Sequence, residues 1–256
     1  MNFRALSMDA ETNPSAAKQK QCKHNFQISC GDCRLNTICL PLSLHTEEID
    51  QLDDIVQRGR PLQKGQNVFH SGEAFSSVFA LRSGTIKSFR ITDDGKEQVT
   101  GFYLPGEIFG LEGISENKYP STAIALETAS VCEIPFNRLE ELTTQVPSLQ
   151  RHVFKLMSKE ITQDQQLITL LSKNSAEERI ASFLLSISTR NQQRNLSGTA
   201  FRLTMSRSDI GNFLGLTVET VSRIFTRLQK QDVIQVNNKD VEILNVPELQ
   251  GIAGIA

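Results

Sequence analysis

The chain has 256 residues, 39% of them hydrophobic, and a formal net charge of −2 at pH 7. That length accommodates one large domain or two smaller ones, and no apolar run approaches the ~20 residues a membrane helix needs. The balanced charge confines any nucleic-acid-binding surface to a local patch. The N-terminal stretch "MNFRALSMDAETNPSAAKQKQCKHN" lacks the apolar core of a signal peptide. Residues 1–29 are therefore expected to form a mobile polar arm, and the protein is expected in the cytoplasm.

The first chemical signal is "SCGDCRLNTIC", Ser29 to Cys39, which holds three of the chain's five cysteines as C-x2-C-x5-C. Cytosolic thiols stay reduced, so a metal or redox centre is favoured over a disulfide. A [4Fe–4S] cluster and an all-thiolate zinc site each need a fourth sulfur. Cys22 and Cys132 are the candidates, although "ASVCEIP" is strand-like and Cys132 reads there as a small core residue. Spacing alone leaves zinc and iron–sulfur open. Leu35, Ile38 and Leu40 either shield such a centre or anchor the loop.

From Pro61 to about Ile134, short β-rich runs alternate with turn residues. Asp94-Gly95 between two such runs signals a hairpin, and Gly72, Gly84, Gly95 and Gly106 punctuate a compact barrel or roll. A helical zone follows, with Pro147 suited to a first helical position. Within it Met157, Ile161, Asp164, Ile168 and Leu171 recur with a period near 3.5, the pattern of a coiled-coil seam. The alternative is an ordinary amphipathic helix packed on its own domain. In a seam, Asp164 would face its symmetry mate and make the homodimer marginal by repulsion.

Ser175-Ala-Glu-Glu178 matches a capping box and opens a helix with Ile180, Phe183, Leu184 and Ile187 on its buried face. In "LTMSRSDIGNFLGLTVETVSRIFTRLQKQDVIQVNNKDVEIL", Ser206 caps a helix to about Leu214, and Gly215 turns the chain. Thr217 then caps a second helix from Val218 to about Gln229. This is a helix-turn-helix with a hairpin wing around Asn237–Asp240. Glu219, Ser222 and Arg223 lie near the start of the second helix, the end that meets base edges. Arg pairs with guanine, and Glu accepts from the cytosine amino group; Arg227 and Lys230 suit phosphates. The competing reading of Glu219 and Arg223 is a solvated i,i+4 pair.

The resulting expectation is an α+β chain. It comprises the arm (1–29), a cysteine loop with a β-roll (30–146), a dimerisation helix (147–173) and a winged helix-turn-helix domain (174–256). That order resembles the Crp/Fnr family of bacterial transcription regulators over about residues 30–245. The strings "LRSGTIKS", "ALETASVCEIPF", "LLSKNSAEERIASF" and "GNFLGLTVETVSR", with the cysteine triplet, resemble its oxygen-responsive branch.

The resemblance implies a [4Fe–4S] cluster on Cys30, Cys33, Cys39 and Cys132, with Cys22 spare. It implies a homodimer on palindromic double-stranded DNA with TTGAT-like half-sites, broken to an inactive monomer when oxygen destroys the cluster. It also implies RNA polymerase contacts through loops that include Thr92–Lys96. Arg34 departs from that branch, which has a small polar residue there. Cyclic nucleotide is not expected: the Gly106-Glu107 turn of the nucleotide-binding branch is present, but "YPSTAIAL" has no arginine for a phosphate. No glycine-rich phosphate loop or nucleophile motif occurs, and His24, His45, His70 and His152 are scattered, so an enzyme is not expected. A zinc or thiol–disulfide regulator remains the rival sensor. A haem sensor would need an axial ligand that the sequence does not identify.

Overall fold

A computed structural model describes residues 28–254; Cys22 and nearly all of the expected arm lie outside the described residues. The cysteine loop ends in a 3-10 turn, Leu40–Ser43, with Pro41 in its first turn. Helix α1 (Thr46–Ile55) follows, opened by a reciprocal cap in which the His45 amide donates to Glu48 Oε2 at 2.8 Å.

Two four-stranded antiparallel sheets make the roll. One has the order β1 (Gln57–Arg58), β8 (Ser130–Pro135), β3 (Ser77–Ser83), β6 (Ile108–Phe109). The other has the order β2 (Asn67–Phe69), β7 (Thr122–Ala125), β4 (Ile86–Ile91), β5 (Glu97–Tyr103). The expected hairpin joins β4 to β5, with the Thr92 amide bonded to the Lys96 carbonyl at 2.9 Å. Alternation along the strands directs aromatic rings inward, and they fill the space between the sheets. Phe69 stacks on Tyr119 at 4.0 Å, Phe79 on Phe109 at 5.5 Å and Tyr103 on Phe109 at 5.1 Å.

Helix α2 (Phe136–Gln145) then packs Leu139 and Leu142 against the roll. The sequence reading missed it because its apolar spacing spans under three turns. Helix α3 runs from Pro147 to Lys173, with Pro147 in its first turn. Only its start is fully buried, at Leu149 and His152. Helix α4 (Ala176–Gln193) is opened by the Ser175–Glu178 capping box. Strand β9 (Ala200–Arg202), α5 (Arg207–Leu214) and α6 (Val218–Lys230) follow. The hairpin β10 (Ile234–Asn237)–β11 (Asp240–Ile243) and α7 (Val246–Ile252) complete the chain.

Burial gathers into three clusters, two in the roll and one in the C-terminal part. The C-terminal cluster also takes in Val99, Phe102 and Leu104 from the roll. Phe102 stands edge-on to Phe183 of α4 and Phe213 of α5. Polar contacts border this seam. Lys87 Nζ meets Glu97 at 2.6 Å and Asp209 at 2.9 Å, and the Asn212 side chain exchanges hydrogen bonds with the backbones of Glu97 and Val99.

Candidate functional site: a four-cysteine pocket and a winged helix pair

The cysteine loop folds as one tight turn. The Leu35 carbonyl accepts from the amides of Ile38 and Cys39 at 3.0 and 2.9 Å, and Asn36 Nδ2 ties back to the Gly31 carbonyl at 3.0 Å. That turn brings Cys30, Cys33 and Cys39 to one wall of a pocket whose other wall is β8, β3 and α1. Cys132 reaches the same pocket from β8, with Leu35, Leu40, Leu52 and Ile134 around it. Cys22 lies outside the described residues. Among the described residues, no group of three or more Cys, His, Asp or Glu converges tightly enough to hold a single metal ion.

Ile38 lies across the β5–β6 turn. A Cβ on Gly106 would come within 2.5 Å of Ile38 Cδ1, and Gly106 sits at φ 92°. Leu35 and Leu40 are buried, so the apolar residues beside the ligand candidates both seat the loop and wall the pocket. Arg34 is exposed.

Burial pushes the thiols up: Cys39 to about 12, with Cys30 and Cys132 also raised, desolvation being the largest cause in each case. A metal centre bound at these sulfurs would release protons on loading. One residue in the pocket has no counterpart in the sequence reading. Arg58 is the register partner of Cys132, and its Nη2 lies 3.3 Å from Cys30 Sγ. It is also paired with Asp53, which accepts the Cys30 amide at 2.6 Å. An arginine in a two-residue edge strand carries no periodicity or motif, so only the tertiary pairing reveals it.

On α3 the seam positions face outward. Ile161 and Ile168 are 59% and 66% exposed, Asp164 is exposed, and Met157 and Leu171 are half-buried. Phe154, 61% exposed, extends the same stripe by three residues, one half-heptad step. Its spacing from Met157 and Ile161 fits that period, but the sequence reading began the stripe at Met157.

In the helix pair, Ser206 and Thr217 cap α5 and α6 through the amides of Asp209 and Thr220. Gly215, at φ 65°, closes α5. Ile210, Leu214, Val221, Ile224 and Leu228 bury the angle between the helices. Glu219, Ser222 and Arg223 are exposed together on the outer face. No ion pair joins Glu219 to Arg223 among the described residues. Lys230 is exposed, while Arg227 is held by Glu177 of α4 at 2.7 Å. The wing strand β11 pairs with β9, which lays the hairpin beside the helix pair.

A roll, a long helix and a winged helix pair define a DNA-binding transcription regulator, and comparison with known proteins agrees. Residues 59–145 match the cyclic nucleotide-binding domain family, and residues 178–252 match the Crp-like helix-turn-helix domain family. The chain belongs to the Crp/Fnr family of transcription regulators, whose members are not enzymes.

It is 56% identical to the transcriptional activator protein Anr of Pseudomonas aeruginosa over 89% of this chain and 93% of that protein. It is 49% identical to the fumarate and nitrate reduction regulatory protein of Vibrio cholerae, over 90% of this chain and 92% of that one. Among solved structures, FixK2 from Bradyrhizobium japonicum is similar at 28% identity and TM-score 0.71, covering 77% of this chain and 97% of that one. No helix among the described residues is long and apolar enough to cross a membrane.

Proposed function

We propose that the chain is an oxygen-responsive transcription regulator. Without oxygen it carries a [4Fe–4S] cluster on Cys30, Cys33, Cys39 and Cys132, pairs as a homodimer and binds palindromic DNA. In air it loses the cluster and the pairing. The single observation that carries this reading is the pocket itself: three thiols from a short loop and one from a distant strand line one cavity. The relative named for fumarate and nitrate reduction agrees with it. Four thiolates fit the group, and the buried Arg58 Nε has no acceptor among the described residues, so a donor is left over in that wall. A mononuclear zinc would require the thiols to draw together on one point.

When bound, the cluster supplies an inorganic core that oxygen can dismantle. The chain's residues do the rest. The loop that holds three thiols runs straight into the 3-10 turn whose Leu40 shares a core with Leu149 and Val146 at the start of α3. His152 of α3 lies against the Cys39 backbone. A change at the loop is thereby felt at the first turns of the helix. The exposed stripe on α3 then pairs with that of a second copy, and Asp164 keeps this pairing near balance, so a coupling of about 1–3 kcal/mol switches it.

Two recognition helices related by a two-fold axis read two half-sites about one turn apart. On a TTGAT-like half-site, Arg223 takes guanine and Glu219 the cytosine amino group, with Ser222 alongside. RNA polymerase would meet exposed loops, including Thr92–Lys96. Cyclic nucleotide has no place in this scheme. Aromatic rings fill the roll, and Glu107 is bonded to Arg190 and to the Leu104 amide.

Anaerobic purification tests the proposal. The expected protein is brown-green and contains about four iron and four sulfide per chain, and Cys132→Ser loses both. Colourless, zinc-loaded wild type would overturn the cluster. A dimer of unchanged strength after metal removal would overturn the switch.

A further inference from the structure

Arg58 is placed where an anionic sulfur-rich centre would need it. Its side chain is 10% exposed, so the charge is largely removed from water. Two contacts fix it: Asp53 Oδ1 holds the guanidinium, and Nη2 reaches Cys30 Sγ at 3.3 Å. The same Asp53 oxygen accepts the Cys30 amide at 2.6 Å, so one carboxylate locks both the arginine and the loop. Its strand register sets Arg58 opposite Cys132. The guanidinium therefore bridges the two ends of the cysteine set, the first residue of the loop and the lone cysteine of the roll. Its Nε is buried and has no partner among the described residues, although more than nine-tenths of buried polar groups find one.

Burying a cation costs stability unless an anion answers it. Asp53 answers part of that need, but Asp53 is also occupied by the loop amide. A cluster bound by four thiolates carries net negative charge in this same wall.

We propose that Arg58, anchored by Asp53, is a positioning and charge-compensating residue of the sensor. It donates to the Cys30 sulfur, offsets the negative charge of the bound centre, and so sets the centre's reduction potential and its lifetime in air. This rests on the cluster reading above. It adds a residue that the cysteine pattern does not contain.

The test is a redox titration of the anaerobic protein, with iron and sulfide content and far-UV circular dichroism measured alongside, for wild type, Arg58→Lys and Arg58→Gln. Gln keeps a donor but loses the charge. Its midpoint potential should move negative, because the reduced, more anionic state loses its compensation, and it should retain cluster about tenfold more weakly, as other outer-shell losses do. Lys keeps the charge and should hold its midpoint close to wild type.

A Gln variant with the wild-type midpoint and lifetime overturns the proposal. So does a Lys variant that falls as far as Gln, which would leave no role for charge. Should Gln fail to fold, Asp53→Asn decides: removing the competing carboxylate should move the midpoint positive, and no positive shift overturns the idea. Wild type free of iron and sulfide sinks the cluster reading itself, whereas a loaded wild type with indifferent variants sinks only the role of Arg58.

Discussion

Glu219 and Arg223 stand on the solvent side of α6 with no ion pair between them, on a helix whose opposite face is fully packed. Among the described residues no hydrogen bond or ion pair competes for their side chains, which leaves them open to base edges. Arg223→Ala should relax readout of one base pair by about 1–3 kcal/mol while leaving other positions intact. Binding assays on a panel of half-site variants check this. A uniform loss across all sequences would place Arg223 on phosphate instead. Arg227 differs, since Glu177 already holds it, and its phosphate role would first have to break that pair. The sequence separated the two arginines only by their position along the helix and left both unpaired. Only the packing of α4 beside α6 shows that Arg227 is already paired, because a contact fifty positions apart leaves no local pattern.

At the scale of elements, α3 carries two kinds of acid. Asp164 points to solvent, in the seam. Glu160, one turn earlier, is tucked toward the roll, and burial together with Glu112 and Asp164 raises it to about 7. A carboxyl whose pKa is raised on folding gives its stabilisation fully below about pH 4.5, and that stabilisation is lost as pH rises through about 7.

Glu160→Gln should remove this dependence and leave the variant more stable than wild type above pH 7. The gain should be on the order of 1–2 kcal/mol, discounted for partial exposure. Melting temperatures from pH 5 to 8 measure it. Parallel pH curves for the two proteins would show that the acid cluster is relaxed by water.

Asp164→Ala tests the seam itself. With the like charge gone, sedimentation in air should show a dimer, and a persistent monomer would remove the repulsion argument. The 3.5-residue period made the stripe from Met157 to Leu171 legible in the sequence, because a coiled-coil face is written locally; Phe154 joins it only through its exposure in the structure. Helix α2 escaped notice for the opposite reason: with only Leu139 and Leu142 fully buried, its pattern is too short to stand out.

Over the whole molecule, the roll and the winged domain share one core through Phe102, and Lys87 clamps their edge to Glu97 and Asp209. Asp209 is also the residue that closes the cap of α5, so this clamp ends on the helix pair itself. Lys87→Met leaves two carboxylates without their cation. It should cost about 2–4 kcal/mol and split one calorimetric transition into two as the domains uncouple. A single transition with unchanged midpoint would show that the aromatic contact alone joins them. The Arg190–Glu107 bond makes a second tie across the same boundary, from α4 to the turn before β6.

By itself the sequence determined the family, the order of its parts, the capped helix pair and the cysteine triplet. Each of these is written in short-range spacing: caps, periods and turns that sterics and hydrogen bonding impose on neighbours. The tertiary structure decided what those parts do to one another. It placed Cys132 in the same pocket as the loop, Arg58 and Asp53 against Cys30, the aromatic rings between the sheets and the roll against the helix pair. Those pairings join residues tens of positions apart, and no local period records which surfaces a folding chain will bring together.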